Sequence, residues 1–554
     1  MAKAESILDL IDVKFQDATN HVSFTSDDIL GMVMPYYWGE ADKMRVYNKT
    51  TFYEQFPESL PIGVSGLTDN DRDLYSGYAQ IKAYFAHGGG QVEVFRPSAG
   101  FKYQQMSISE SGVSAEGNNM SFEDKQHNEE SAVSIALKYA GYVPQSLAIG
   151  YKNIAIKVES TTINGYVGTD VCLKITIQGI KADNTTKDLE VFEGSTNPLA
   201  NIDGESIYLE NVVKSDFIDV KVFAMVTSMS AAITKTCNAY VNVGNNADIV
   251  LDGDVDNVIA NGVKDAYKYF RDFEISNATL VINPFVKSTI SCYEDIDSAI
   301  ASLAEYRKNV NAVVGYPIEK DYDYDTIEEY FVTGNSGVSS TAKGNKFCIA
   351  LQGREIISLF GYRYTLNCVA GYCGKMINVA KEAHINQIAS GYTYGIYGGS
   401  LKESLLSGEV IDLMELGVNS VYTSKRGNII WGTRTMYSKQ TSYFGKINVM
   451  RVCAAILKNI FPVAVETLHT DAASNPITRA SVSTMLNSII DTFIASQDLH
   501  ADSYADCSDS INTDYLTKGG TILNIILVLH FIGLVERVSI KIIATDTSVT
   551  AEFV

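Results

Sequence analysis

Apolar and polar residues are arranged along the chain with more than one spacing, and each spacing predicts a different kind of element. After a first strand, ILGMVMPYY, apolar residues recur at helical spacing and are followed by three glycines that end the helix: Leu74, Tyr78, Ile81 and Phe85, then residues 88–90. The segment QVEVFRP next alternates apolar and polar residues and closes at Pro97, which predicts a strand. The first part of the chain is therefore expected to contain a strand, a helix and a strand, in that order.

The middle of the chain changes to a spacing of two. Residues 107–133 are polar, rich in Ser, Glu and Asn, and almost without aliphatic residues, so they predict a surface loop or a mobile excursion. Beyond them, apolar residues occupy every second position in two stretches: Ile154, Ile156 and Val158, then Val171, Leu173, Ile175 and Ile177. This pattern predicts an antiparallel β-rich unit from about residue 100 to residue 245.

From about residue 250 onward, helical and strand-like segments alternate. NVIANGVKDAYKYFRDF and DIDSAIASLAEYRKN have helical spacing and are interleaved with the short apolar runs ATLVI, NAVVGYP and KFCIAL, which predicts a partly parallel sheet covered by helices. A later stripe predicts a core-facing helix: Val482, Met485, Leu486, Ile489, Ile490, Phe493 and Ile494. The most apolar run, TILNIILVLHFIGLV at 521–535, is shorter than the roughly 18 residues of a membrane helix, and we interpret it as a buried strand with a bend at Gly533.

The end of the chain carries a strand pattern to its last residues. Apolar residues alternate in ERVSIKIIATD and again in TSVTAEFV, at Val538, Ile540 and Ile542 and then at Val549, Ala551 and Phe553. A terminal strand needs a hydrogen-bonding partner, because a free end otherwise frays. We expect residues 548–554 and the N-terminal arm, with Val13 and Phe15, to add to the sheet of a neighbouring copy, with ERVSIKII as the acceptor or hinge. Pairing of both termini within their own chain is the alternative.

Composition and charge exclude some classes of function. Apolar residues make up 46% of the chain and charged residues 20%, as in a globular protein. The length suggests three or four domains at roughly 150 residues each, or fewer with large insertions. The net charge of -21, with no run of Lys and Arg, argues against nucleic acid as a partner. The N-terminal segment lacks the features of a signal peptide, so we expect no membrane insertion.

Patterns for catalysis or metal binding are weak. GYCGK at 371–375 lacks the spacing and the following Ser or Thr of a phosphate-binding loop. HGGGQ at 87–91 resembles the glycine run of an oxyanion hole, but the chain has no G-x-S-x-G motif to supply a nucleophile. The eight cysteines are scattered without a CxxC pair, which favours buried thiols in a reducing cytoplasm over metal ligands. The acidic cluster at 319–330 lacks the ligand spacing of a calcium loop. We therefore expect no catalytic residue, no cofactor and no metal.

Trp431 begins the segment WGTRT, which follows a predicted hairpin with GVNSVYTS as its first strand and KRGN as its turn. A catalytic arginine normally has acids, bases or a metal around it, whereas this segment supplies only hydroxyl groups. We therefore interpret Arg434 as a structural residue that pairs with a buried carboxylate or with backbone carbonyl groups.

The same region resembles the C-terminal part of contractile tail sheath proteins of phages, a family related to pyocin and other injection-system sheaths. The family's G-[IV]-N, W-G-x-R-T and I-N-V-x-R motifs occur here in order, at Gly417, Val418 and Asn419, at Trp431, Gly432, Arg434 and Thr435, and at Ile447, Asn448, Val449 and Arg451. ILGMVMPYYWGEADKMRVYNKTTFYEQFP and IKAYFAHGGGQVEVFRP are similar to the family's opening segments. Residues 381–390 depart from the family's usual pattern.

This resemblance implies an α/β (α+β) fold, in which N-terminal and C-terminal segments build a mixed-sheet core flanked by helices and an antiparallel β-rich domain is inserted. The implied division is an N-terminal arm (1–25), the N-terminal part of the core (26–100), an inserted outer β-rich domain (101–245), an α/β domain (246–415), a C-terminal inner domain (416–544) and a C-terminal arm strand (545–554). The sheath motifs would then lie in the inner layer.

The function implied by the resemblance is mechanical and not enzymatic. Copies of the chain would form hexameric rings stacked into a helical sheath around a tail tube, with baseplate and tail terminator proteins as further partners and no nucleic acid or membrane. The location implied is the virion, after assembly in the host cytoplasm. Two alternatives stay open: a cytoplasmic α/β enzyme with a site at the carboxyl ends of its strands, and another lattice protein such as a surface-layer subunit.

Overall fold

Strands from distant parts of the chain meet in one central sheet in this computed structural model. The structure describes residues 22–23, 28–36, 41–56, 58, 69–141, 143, 150–229, 231–239, 258–290, 292–334, 338, 340–437, 439, 441–512, 522–533, 540–544 and 549–553. Its first elements are β1 (Val22–Ser23), β2 (Ile29–Val33), β3 (Met44–Asn48), α1 (Lys49–Gln55), α2 (Asp69–Leu74), α3 (Ser76–Ala86) and β4 (Gln91–Phe95). The predicted helix that ends at the glycine run and the strand that follows it are both confirmed, as α3 and β4.

The β-rich unit that follows contains eleven of the strands in the described residues. They are β5 (Tyr103–Ser109), β6 (Gly112–Ser114), β7 (Ser121–Glu123), β8 (Val133–Ala140), β9 (Asn153–Thr161), β10 (Cys172–Ile180), β11 (Thr186–Ser195), β12 (Asn201–Ile202), β13 (Glu205–Ser206), then after helix α4 (Leu209–Val212), β14 (Ile218–Val222) and β15 (Thr234–Ala239). Two antiparallel sheets, of order β14-β8-β5-β6 with β7 beside β5 and β11-β10-β9-β15, enclose an apolar core of their own. The antiparallel β-rich unit is therefore confirmed.

The prediction of a loop over residues 107–133 is wrong, because parts of that stretch are strands. β5 extends to Ser109, and β6 and β7 pair with it, so much of the polar stretch belongs to the five-stranded sheet. Within this stretch, the polar Ser107 of β5 is buried, as is the adjacent Ile108. Side chains of this type hide the apolar alternation on which the prediction relied.

Helices and strands then alternate as predicted. The elements are α5 (Ala260–Ala266), β16 (Leu280–Ile282), α6 (Tyr293–Arg307), β17 (Asn311–Gly315), α7 (Tyr324–Glu328), β18 (Cys348–Gln352), β19 (Arg354–Leu359), β20 (Tyr362–Asn367), α8 (Val369–Glu382), α9 (Gly391–Tyr394), β21 (Ser400–Leu401), α10 (Ser407–Glu415), β22 (Val418–Ser424) and β23 (Gly427–Trp431). The segment GYCGK lies inside α8, so it forms part of a helix and not a phosphate-binding loop.

The central sheet has eight strands in the order β23-β22-β18-β17-β16-β2-β4-β3. The six inner strands are parallel, and the edge strands β3 and β23 are antiparallel to their neighbours. β2, β17 and β18 are buried along their whole length, as parallel strands covered on both faces are. The predicted α/β fold with a mixed sheet is confirmed. Because β18 pairs with β22, the sheet continues across the boundary that was placed at 415/416.

The last elements are α11 (Ile447–Thr467), α12 (Pro476–Ala495), β24 (Asp498–Leu499), β25 (Tyr504–Asp506), β26 (Ile526–Val528), β27 (Ile540–Ala544) and β28 (Val549–Phe553). α11 is long and apolar enough to cross a membrane by length and composition, but 72% of its most apolar window is buried inside the protein. It packs against α12 in an apolar cluster with β24 and β25. α11 is therefore a core helix of this part of the chain.

Two predictions about burial in this part of the chain are corrected. The stripe on α12 is narrower than expected: Val482, Leu486, Ile490 and Phe493 are buried, whereas Met485 is 42% exposed. The run at 521–535 is not a buried strand, because only β26 is extended within its described part, and Ile526 is 48% exposed. In both places the single chain covers one side of an apolar segment and leaves the other open.

The two termini pair within the chain as far as they are described. β1 pairs with β24, and β27 pairs with β28 in a hairpin that joins no other strand among the described residues. Val549, Ala551 and Phe553 belong to this hairpin, while Val13 and Phe15 lie outside the described residues. The structure is that of one copy, so the exchange of strands between copies stays a prediction.

Candidate functional site: the junction between the central sheet and helix α11

The predicted hairpin before WGTRT is confirmed. β22 and β23 pair antiparallel from Ser420↔Trp431 to Ser424↔Gly427, with Lys425 in the turn. β23 is an edge strand, and the chain closes much of this edge itself: the N–H of Ile430 donates to the Gly395 carbonyl at 2.7 Å. An edge that is covered in this way is protected from pairing with other chains.

Asn419 joins the first two sequence motifs. Its Nδ2 donates to the Ala350 carbonyl at 2.9 Å and to the Arg434 carbonyl at 2.8 Å, and its Oδ1 accepts from the Arg434 N–H at 3.1 Å. Gly432 has a φ of +148°, and a Cβ there would overlap the Asn419 side chain. Glycine and asparagine are therefore both needed for the chain to pass this close to β22.

The same segment fixes the start of α11. The N–H of Thr435 donates to the Gly445 carbonyl at 3.0 Å and its Oγ1 to the Phe444 carbonyl at 3.0 Å, while the N–H of Ile447 donates to the Thr433 carbonyl at 3.0 Å. Arg434 is held here by the main-chain contacts to Asn419. The pairing of its guanidinium group with a carboxylate or carbonyl groups stays a prediction.

Trp431 closes the hairpin at its end. Its ring is half-buried and lies edge-on to Tyr392, with 6.0 Å between the ring centroids, and its Nε1 is buried without a hydrogen-bond partner. The contact fits the predicted role in the architecture of the hairpin, since aromatic pairs favour this geometry.

The third motif places two polar side chains one turn apart on α11. Asn448 Nδ2 donates to Asn386 Oδ1 at 2.7 Å, and Arg451 Nη2 donates to Asp28 Oδ2 at 2.6 Å. The side chains of Arg451 and Asp28 are only 3% and 7% exposed, so their ion pair is buried. Asp28 also accepts a hydrogen bond from Thr279 at 3.0 Å, so the pair ties the start of β2 to α11.

A second carboxyl group lies in the same cluster. Asp498 is buried, and its Oδ1 accepts a hydrogen bond from the N–H of Asn386 at 3.1 Å. Burial raises the pKa of Asp498 to about 9, although the Asn386 N–H and the charge of Arg451 act in the opposite direction. Asp498 is thus a neutral acid at pH 7, while the Arg451–Asp28 pair has a net charge of zero. Asp498 also pairs through its backbone with Ser23, at the root of the N-terminal arm.

The structure brings all six motif residues to this one junction: Trp431, Gly432, Arg434, Thr435, Asn448 and Arg451. It adds three residues that sequence reasoning missed, Asp28, Asn386 and Asp498. None of the three stands in a motif or at a regular spacing in the sequence: Asp28 precedes β2, Asn386 lies in a turn after α8, and Asp498 begins β24. The junction has two guanidinium groups, those of Arg434 and Arg451, together with carboxyl groups and amides, which suits it to holding elements together.

The carboxyl ends of the parallel strands, where an α/β enzyme would bind its ligand, are occupied by polar groups that bond to one another. Asn283 donates to Asp297 at 3.0 Å, and Arg354 pairs with Glu403 at 2.8 Å and lies over the ring of Tyr322. Within the described part of the chain, no group of three or more His, Cys, Asp or Glu residues could hold a metal ion. All eight cysteines are buried thiols, as predicted.

Comparison with known proteins gives matches at the level of structure. No protein-family model matches the chain, and no curated protein matches its sequence. The crystal structure of a sheath tail protein from Listeria innocua matches with a TM-score of 0.50 and 12% identity, over 89% of this chain and 90% of that one. A sheath tail protein from Desulfitobacterium hafniense gives 0.44 and 12%, over 90% and 92%. A chain of the anti-feeding prophage baseplate gives 0.49 and 11%, over 97% and 99%. The chain therefore has the fold of the sheath tail protein from Listeria innocua.

Proposed function

We propose that the chain is a structural subunit of a contractile phage tail sheath. Copies polymerise as stacked hexameric rings around a tail tube, and the sheath shortens to drive the tube through the host envelope. The observation that carries this proposal is the likeness to the Listeria innocua sheath tail protein, which extends over nine-tenths of both chains. The motif residues support it, because the residues that resemble sheath motifs also meet at one junction.

The surface of the C-terminal part supports self-association. Large apolar side chains are exposed there in a single copy: Ile477 at 80%, Tyr504 at 48%, Ile522 at 50% and Ile526 at 48%. Large apolar side chains are also exposed elsewhere, among them Val167 at 100% and Leu199 at 82%, and apolar surface that one copy leaves open is available for contact with other molecules. In a sheath, neighbouring copies would cover them.

The partners of this subunit follow from the proposed assembly. They are the tail tube protein, the baseplate and the tail terminator, within a virion assembled in the host cytoplasm. The net charge of -21 disfavours contact with nucleic acid. In this proposal the subunit performs mechanical work and no catalysis.

Exchange of strands would connect the copies. An isolated two-stranded hairpin is marginally stable in water, and the hairpin β27–β28 joins no other strand within the described part of the chain. Adding Val549, Ala551 and Phe553 to the sheet of a neighbour, and the arm with Val13 and Phe15 to another, would give these segments a larger sheet. Copies linked through main-chain hydrogen bonds can shift without separating.

Negative-stain microscopy of purified protein tests the proposal. The full-length chain should form long hollow cylinders of uniform width, and a variant lacking residues 545–554 should stay folded but form none. A matched control lacks residues 182–184, in the exposed turn between β10 and β11, and should form normal cylinders. Discrete particles from the full-length chain would refute the sheath function, and normal cylinders from the truncated chain would refute only the exchange of the C-terminal strand.

A further inference from the structure

A guanidinium group lies near two buried carboxyl groups at the root of the N-terminal arm, and it is bonded to only one of them. Arg451 donates through Nη2 to Asp28, and its Nη1 is buried without a hydrogen-bond partner. Oδ2 of Asp498 is likewise buried without a partner. Buried polar atoms of folded proteins are nearly always bonded, so an unused donor and an unused acceptor in one cluster require an explanation.

The two carboxyl groups are attached to different parts of the molecule. Asp28 directly precedes β2 of the central sheet and accepts a hydrogen bond from Thr279. Asp498 lies on β24, whose partner is β1 (Val22–Ser23), the described part of the N-terminal arm. A displacement of the arm root is therefore transmitted to Asp498 through the backbone pairing, while Asp28 stays with the sheet.

We propose that Arg451 is a latch with two positions, paired with Asp28 in the arrangement seen here and with Asp498 once the arm root has moved. The unused Nη1 and Oδ2 are the atoms that meet in the second position. The natural cause of the movement rests on the proposed function, in which arms link the copies and shift when the sheath shortens.

The exchange conserves charge and protons. The cluster has one guanidinium charge, so one carboxyl group is ionised and the other is protonated in each position. In the first position Asp28 is the carboxylate and Asp498 holds the proton, in keeping with the pKa of about 9 that burial gives it. When Arg451 pairs with Asp498, the Asp498 O–H bond breaks, and Asp28 receives a proton. No charge is left unpaired in the protein interior, which would be costly.

Two Asp→Asn substitutions distinguish the two positions of Arg451. Asp28→Asn removes the first partner and should move Arg451 to Asp498. Asp498→Asn removes the second partner, leaves the Arg451–Asp28 pair intact and should have little effect alone. Asp491→Asn is the control, because Asp491 is an exposed acid in the last turns of α12. Each exchange replaces a carboxyl group by an amide of nearly the same size.

A double-mutant cycle on the full-length chain in solution tests the latch. The readout is the rate of amide hydrogen exchange in peptides that cover residues 28–36 and 446–460. With Asp28→Asn alone, the rate should rise modestly, because Asp498 takes over the guanidinium group. With both substitutions the rate should exceed the product of the single effects by on the order of tenfold, since Arg451 then has no carboxylate partner.

All variants are measured at a concentration below that at which cylinders form, so that the exchange rates do not depend on assembly. Single effects that multiply without excess would overturn the latch, as would an equal excess when Asp491→Asn replaces Asp498→Asn. If Asp28→Asn does not fold, the cycle uses Thr279→Val, which removes the hydroxyl group that bonds to Asp28 and so weakens the first position without deleting its carboxyl group. Absence of cylinders from the wild-type chain would refute the sheath function and leave the result of this cycle valid for the latch.

Discussion

Asn419 provides three hydrogen bonds to main-chain groups at the place where two strands and the chain leading to α11 converge. Its amide reaches Ala350 on β18 and both polar groups of Arg434, and it is fully buried. The Asn419 side chain makes the kind of main-chain hydrogen bonds that a neighbouring strand would otherwise make. These bonds require the backbone at residue 432 to lie very close to the Asn419 side chain, and only a glycine can occupy that position.

Gly432→Ala should lower the free energy of unfolding by about 2–4 kcal/mol, because it adds backbone strain at φ +148° and a clash with Asn419. Gly427→Ala is the matched control. Gly427 also has a positive φ, +106°, but a Cβ there would meet nothing within 4 Å, so only the strain of about 1 kcal/mol applies. Urea unfolding of both variants measures the difference, and equal losses would contradict the role of the Asn419 contact.

Asp297 on α6 gives the chain a predictable dependence on pH. It is fully buried, bonds to Asn283 through one oxygen only, and burial raises its pKa from 3.8 to about 7. As the pH rises, Asp297 therefore loses its proton at a lower pH in the unfolded chain than in the folded chain. The protonated acid contributes fully to stability below pH 4, and this contribution is lost as the pH rises to 7. The decline is on the order of 4 kcal/mol, from three pKa units at 1.36 kcal/mol each.

Asp297→Asn should remove this decline and make the chain more stable than wild type at pH 7.5. Urea unfolding at pH 4.5 and pH 7.5 measures it, with Asp295→Asn as the control, because Asp295 lies on the same helix with its side chain 66% exposed. If the wild type and Asp297→Asn lose equal stability between the two pH values, Asp297 is not the group responsible.

The residues of the junction differ in how far the sequence predicts them. Gly432, Arg434 and Asn448 stand in an ordered set of motifs, so they could be selected from the sequence. Asp28 and Arg451 form an ion pair across 423 positions, and nothing in the local pattern around either residue indicates the other. Contacts of this kind depend on the packing of complete elements, which a reading of spacing along the chain does not include.

At the scale of elements, apolar spacing predicts where a helix or strand lies better than it predicts what covers the element. α3, α6 and the hairpin β22–β23 lie where the spacing places them. On α12 the stripe includes Met485, which is exposed, and most of the described residues of the apolar run, 522–533, are half-buried. An apolar side chain that neighbouring copies would cover has the same pattern as a core residue, so one sequence cannot separate the two.

At the scale of the whole molecule, the β-rich unit enters and leaves the core at one place. A Cβ on Gly100 would overlap the side chain of Ile259, and Gly262 lies against Ala99. The unit has an apolar core of its own, and it contacts the core around the central sheet through a few residues, Tyr103, Phe122 and Ala140. An insertion whose ends are adjacent can be tolerated by the fold that receives it, because it does not interrupt the packing of that fold.

Replacing residues 103–256 by a short Gly-Ser linker should therefore leave the core folded. The variant should keep a cooperative unfolding transition, and the excised β-rich unit should fold when produced alone, as shown by circular dichroism and thermal unfolding of each. The same variant should form cylinders narrower than those of the full-length chain if the β-rich unit faces outward. Loss of cooperative unfolding in the linked core would contradict the independence of the two units. Cylinders of unchanged width would instead place the β-rich unit away from the outer surface, because a unit of some 150 residues cannot be removed from that surface without reducing its radius.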